Sequence, residues 1–90
     1  MVTAIILINV EPDRMATIAE TLSNIPGISE VYSVAGNFDL VALVRVKEND
    51  ALADLVAARV RGIEGIIRTE TLIAFRAYSR HDLDSLFSLD

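Results

Sequence analysis

Apolar positions recur along the chain with two periods, one suited to strands and one to helices. Residues 3–10, TAIILINV, are β-branched and apolar and predict a strand. Pro12 follows, suited to a first helical turn where its missing N–H costs nothing. Met15, Ile18, Ala19, Leu22 and Ile25 then recur at helical spacing and predict an amphipathic helix, which Pro26-Gly27 ends. Strands are predicted over about 28–35 and about 39–47, with Gly36-Asn37-Phe38 turning one into the other. Asn49-Asp50 caps a second helix, whose stripe is Leu52, Leu55, Val56 and Val60 and whose end lies near Gly62. Residues 66–78 read as a long fourth strand. In the closing SRHDLDSLFSLD, Ser79 and Asp82 resemble a capping box, and Leu83, Leu86 and Phe87 form a short stripe. A short C-terminal helix over 79–90 is expected there.

The order is βαββαβ with a terminal helix. Ile25-Pro26-Gly27-Ile28 closes the first helix and opens a strand, and Ile63-Glu64-Gly65-Ile66 repeats the step after the second. Two such halves predict an α+β, ferredoxin-like fold: a four-stranded antiparallel sheet with both helices on one face. Ninety residues suffice for one modest core, and no low-complexity segment breaks them. The expected organisation is one domain over 1–78 and a helical tail over 79–90.

Successive side chains in a strand face opposite sides. If Leu40, Ala42, Val44 and Val46 face the helices, Val41 and Leu43 point away. Likewise Ile6, Ile8 and Val10 alternate with Ile5 and Leu7, and Leu72 and Ala74 with Ile73 and Phe75. Both sheet faces are then largely apolar, whereas an open antiparallel sheet normally alternates apolar-in with polar-out. At roughly 1.5–3 kcal/mol per fully buried side chain, the uncovered face is a strong drive to find a partner. The tail helix is too short to cover four strands. A homo-oligomer is expected, built from a two-fold dimer through the sheet face.

Composition and charge narrow the function. The net charge is −5, Lys47 is the only lysine and the seven arginines are scattered. Nucleic-acid binders usually present a basic face, so direct nucleic-acid binding is not expected. No apolar run approaches a membrane span, and the amino terminus has neither a basic n-region nor a cleavage site. The absence of cysteine excludes disulfides and thiolate metal sites and fits a cytoplasmic protein.

Chemistry-bearing sets are missing as well. With His81 the only histidine, a zinc site of the usual kinds is excluded. Ser79, His81 and Asp82 are too close in sequence to count as a triad, and neither GxGxxG nor a P-loop is present. Asp13, Glu20, Glu48 and Asp54 fall at polar positions of helices or caps. The central strands carry aliphatics where ferredoxin-like RNA binders stack aromatics. No catalytic residue, metal or cofactor is expected, and the chain is read as a non-enzyme.

What remains is the stretch IPGISEVYSVAGNFDLVALVRV, a helix, then IEGIIRTETLIAF. It resembles the effector (RAM) domain of the leucine-responsive/asparagine regulator family, Lrp/AsnC, over about residues 1–77. The family places a Val-Thr-Gly-like triplet before a turn, then an aromatic residue and Asp; here the run is Val34-Ala35-Gly36-Asn37-Phe38-Asp39. A Gly-Val step and two threonines one residue apart match Gly65-Ile66 and Thr69-Glu70-Thr71. Ala35 and Ile66 depart from the pattern. The amino-terminal helix-turn-helix of full-length members has no counterpart in these residues, so a stand-alone effector domain is expected.

The resemblance implies dimers formed through the sheet face, assembling further into rings, often octamers. It implies a small effector, typically an amino acid, bound where dimers meet. Carried over by motif, the ligand-binding candidates are Val34, Ala35, Gly36, Asn37, Phe38 and Asp39, with Thr69 and Thr71 as weaker ones. Association with full-length Lrp/AsnC regulators is the implied route to transcription.

The chemistry of the hairpin admits two readings. Free N–H groups of a glycine-containing turn meet an anion, and Asp39 takes an ammonium by a charge-assisted hydrogen bond, which suits a zwitterion. Alternatively Gly36 supplies a positive φ, Asn37 is turn chemistry and Asp39 accepts from the local backbone. Two rival classes share the fold. An ACT-like amino-acid sensor favours a glycine after the first strand, where this chain has VEPDRM. A small dimeric α/β-barrel enzyme needs reactive polar groups where this chain has aliphatics.

Overall fold

The computed structural model describes residues 1–78 and Arg80, so the helix expected over 79–90 lies outside the described residues. Four strands form one antiparallel sheet: β1 (Val2–Val10), β2 (Ile28–Ser33), β3 (Leu40–Val46) and β4 (Ile66–Ile73), in the order β2-β3-β1-β4. A 3-10 turn at Pro12–Arg14 leads into α1 (Met15–Ser23). The second helix starts as α2 (Asn49–Asp54) and continues as a π-helical stretch over Leu55–Val60. The βαββαβ expectation holds, with both central strands contributed one from each half.

The register decides which residues become core. Ile6 faces Ala42 and Ile8 faces Leu40 across the β1–β3 pair. With Ala4 and Val44 these side chains are fully buried, and Ile18, Leu22, Leu52, Leu55 and Val60 pack onto them from the helices. Every buried side chain among the described residues is apolar. Each large one contributes on the order of 1.5–3 kcal/mol, so this layer is the main source of stability.

The second helix departs from a regular stripe. Leu55 and Val60 are both buried although five residues apart, while Val56 is half-buried. Five residues of α-helix would turn Val60 away from Leu55. The π-type bond from the Arg61 N–H to the Val56 carbonyl, 3.1 Å, widens the turn and brings position i+5 back over position i.

Strand ends also differ from the expectation. β4 stops at Ile73, short of Tyr78; among the described residues it is an edge strand paired only with β1. Ala4 pairs with Ile73, the Ala74 N–H reaches the Thr3 carbonyl at 2.9 Å, and the pairing ends there, with Phe75 98% exposed. β2 ends at Ser33 and β3 begins at Leu40, which leaves residues 34–39 as a wider hairpin tip.

The repeated Ile-X-Gly-Ile step is a structural repeat. Gly27 and Gly65 have φ +101° and +100°, a region that L side chains rarely adopt. A Cβ at Gly27 would also lie 2.9 Å from Leu55, and one at Gly65 2.7 Å from Arg14. The Gly27 carbonyl accepts from the Arg45 N–H at 2.8 Å, and the Gly65 carbonyl from the Glu11 N–H at 2.9 Å.

The face away from the helices is apolar at its centre only. Ile5, Leu7, Val41 and Leu43 form a half-buried strip along β1 and β3, flanked by Leu72 on β4 and Tyr32 on β2. By the same register Glu30, Arg45, Arg68 and Glu70 rim it. Six large apolar side chains inside a polar rim is the anatomy of an interface patch.

Candidate functional site

The hairpin at residues 34–39 is held from below by β1. The Asp39 N–H donates to the Ile8 carbonyl at 2.9 Å, and the Val34 N–H to the Asp39 carbonyl at 3.0 Å. The Asp39 carboxylate accepts from the Val10 N–H at 3.0 Å and from the Asn9 amide at 3.3 Å, both on Oδ2. The Asn9 amide also donates to the Asn37 carbonyl at 2.9 Å. A strand that leaves the sheet at Val10 would otherwise carry an unpaired N–H, and the carboxylate supplies its acceptor. The bracing role is therefore real for Asp39.

The tip itself is open. Val34, Ala35, Gly36 and Asn37 are exposed, and Phe38 and Asp39 half-buried. Gly36 has φ +129°, and nothing lies within 4 Å of where its Cβ would be. Among the described residues no hydrogen bond engages the N–H groups of Ala35, Gly36, Asn37 or Phe38. N–H groups left without a partner around a glycine are available to an anion. The Arg68 guanidinium lies over the Phe38 ring, 5.0 Å from its centroid, which fixes the tip against β4 and adds a positive charge beside it.

Thr69 and Thr71 sit elsewhere in the same chain. They pair with Ile8 and Ile6, so they share the helix face, whereas Arg68 pairs with Asn9 beside the hairpin. Thr69 lines a groove of about 450 Å³ with Val56, Arg61, Ile66, Ile67 and Arg68. Thr71 lines a neighbouring groove of about 440 Å³ with Asn49, Leu52, Ala53, Val56, Ile73 and Phe75. The sheet thus separates the threonines from the hairpin within one protomer.

Two residues of the hairpin site escaped the sequence reading. Asn9 is the polar residue next to the end of an apolar strand, and that break in pattern was its only signal. Arg68 carried none, because its place over Phe38 depends on the β1–β4 register. Among the described residues no group of three or more His, Cys, Asp or Glu side chains is arranged to hold a metal, and no helix is long and apolar enough to cross a membrane.

Comparison with known proteins agrees with this architecture. The family model for the Lrp/AsnC ligand binding domain matches residues 3–83. An uncharacterized helix-turn-helix-type transcriptional regulator of Pyrococcus horikoshii, PH1916, is 38% identical over 76 residues, covering 81% of this chain and 51% of that protein. The chain spans about half the length of the curated relatives it matches. Among solved structures, TTHA0845 from Thermus thermophilus superposes with a TM-score of 0.85 at 48% identity, covering 89% of this chain and 100% of that one. The feast or famine regulatory protein of M. tuberculosis, complexed with L-methionine, superposes with a TM-score of 0.70 at 32% identity, covering 89% of this chain and 54% of that one. With a family model spanning nearly the whole described fold, this chain belongs to the Lrp/AsnC family of transcription regulators and carries its ligand-binding domain.

Proposed function

We propose that this domain is an oligomeric sensor that binds an amino acid at the 34–39 hairpin and passes the signal on through assembly. The carrying observation is the tip: four free N–H groups, an open glycine at φ +129° and Arg68 alongside. These groups favour a carboxylate. Asp39 braces the hairpin through Oδ2 and keeps Oδ1 for an ammonium, so one residue serves both roles. The methionine held by the M. tuberculosis relative supports the choice of ligand class.

Assembly completes the site. Within one protomer Thr69 and Thr71 face away from the hairpin, and a second protomer brings its own residues to the tip. The apolar strip with its polar rim pairs two protomers face to face, and the resemblance supports further assembly into a ring. With a net charge of −5 the domain does not hold duplex DNA by itself, and it reaches promoters through full-length family regulators.

A screen of the twenty amino acids, read by thermal shift and by solution mass together, tests this. One or a few amino acids raise the melting temperature and alter the mass of an assembly at least dimeric. No response to any of them overturns the ligand assignment. A mass of one chain at micromolar concentration overturns the assembly.

A further inference from the structure

β1 runs past the start of β3. Their pairing ends at Ile8 and Leu40, so Asn9 and Val10 are met by the hairpin instead of a strand. On the other side the β1–β4 register shifts between the same two residues, the mark of a bulge, which re-aims side chains. Asn9 continues the row of Ile5 and Leu7 on the open face and is half-buried. Asparagine is depleted from strands, and in that row an amide gives up apolar contact. Its orientation is set by its partners. The Asn37 carbonyl at 2.9 Å and Asp39 Oδ2 at 3.3 Å are both acceptors, so the amide nitrogen faces the hairpin. Pairing needs explain only part of this. Asp39 Oδ2 already accepts from the Val10 N–H, and the bond to Asn37 is exposed, where water would serve the carbonyl as well.

We propose that Asn9 is the positioning residue of the hairpin site: its amide holds the tip and the Asp39 carboxylate in one arrangement before a ligand arrives. The inference rests on the amino-acid reading of the hairpin. The ends of the tip have their own anchors. The Val34 N–H closes the base onto the Asp39 carbonyl, and Phe38 lies under Arg68. The middle has Asn9 alone: among the described residues no other hydrogen bond reaches Ala35, Gly36 or Asn37. Asn9 itself touches no ligand. It acts through the N–H groups of the tip, whose direction follows the Asn37 peptide, and through Asp39, whose Oδ2 it helps to hold. A tip held in shape spares a ligand the cost of ordering it. A tip that visits the same shape only about a tenth of the time binds about tenfold more weakly.

Two variants test this. Asn9→Leu keeps the size of the side chain and removes both donors. Asn9→Ala removes them without lengthening the apolar strip. Nitrogen-15 relaxation of the amides of residues 35–37, on deuterated protein, reads the order of the tip, and thermal melts read the fold. The wild-type tip is expected to be as ordered as β3. In both variants it should move on the picosecond-to-nanosecond scale, with the melting temperature within about 4 °C of wild type. A residue needed only for stability would instead lower the melting temperature and leave the tip ordered. Tip amides as rigid in both variants as in the wild type overturn the inference, and so does a wild-type tip that is already mobile. L-Methionine titrated into the same samples should bind both variants about tenfold more weakly than wild type, and equal affinity overturns the inference too. Wild-type protein that binds no amino acid refutes the ligand reading alone, and the relaxation of the tip still decides the role of Asn9.

Discussion

The two faces of the sheet are built from the same strands and have opposite fates. On β1, Ala4, Ile6 and Ile8 are sealed under the helices, while Ile5 and Leu7, their immediate neighbours, remain half-exposed. On β3, Leu40, Ala42 and Val44 contrast with Val41 and Leu43 in the same way. Hydrophobicity does not distinguish the sets; only the pleat does. One face spends its apolar surface on folding, and the other leaves it half-exposed. Substitutions should therefore separate stability from assembly cleanly.

The largest effect is expected on the covered face. Ile6→Ala removes a fully buried side chain between Ala42 and the helices, and should cost about 2–5 kcal/mol in urea or thermal unfolding. On the open face, Leu43→Arg should leave the far-ultraviolet dichroism and monomer fold intact while weakening the dimer. A central interface residue worth about 2 kcal/mol corresponds to roughly a 30-fold rise in dimer Kd. Analytical ultracentrifugation over a concentration series measures it. A stable, unchanged dimer in this variant would mean that the apolar strip is not the contact.

At the end of the sheet, Asp39→Asn keeps one oxygen acceptor but loses the charge on the bonds from Val10 and Asn9. A loss of about 1–2 kcal/mol is expected, and each kcal/mol lowers the Tm by about 4–8 °C. If Asp39 also holds a ligand ammonium, amino-acid affinity falls in the same variant. A melt and a titration on one sample divide the two roles.

The smallest effect belongs to the rim of the open face. The Tyr32 hydroxyl donates to the Glu30 carboxylate, and that bond, with burial and the carboxylate charge, holds the phenol above its ordinary range. A raised phenol pKa means that the contact is fully present below about pH 10 and is lost as pH rises through the folded-state value. Glu30→Gln should bring Tyr32 ionisation to lower pH in an alkaline absorbance titration, with little change in stability at neutral pH.

Local patterns exposed some of these features and hid others. The strands, the α1 stripe and the two glycine turns were legible, because period and positive φ are written in neighbouring residues. The end of β4 at Ile73 was not, since it depends on how far the pairing with β1 extends rather than on neighbouring residues. The π stretch left only the five-residue gap between Leu55 and Val60 as a trace. At the hairpin, the motif pointed to residues 34–39, but the partners Asn9, Val10 and Arg68 arrive through long-range register. The separation of Thr69 and Thr71 from the hairpin is likewise a matter of strand pairing rather than of spacing.

The twin glycine turns carry a consequence for cooperativity. Gly27 lies in the first half, yet its carbonyl is held by Arg45 of the second; Gly65 lies in the second, held by Glu11 of the first. Each half closes its helix-to-strand turn only when the other is in place. Neither half is a folding unit by itself, and the domain should unfold in one all-or-none step. The interlock must also await contacts between distant parts of the chain, because β1 pairs with β4 across most of its length. Folding is thereby slowed, and a partly folded half has no stable turn to rest on.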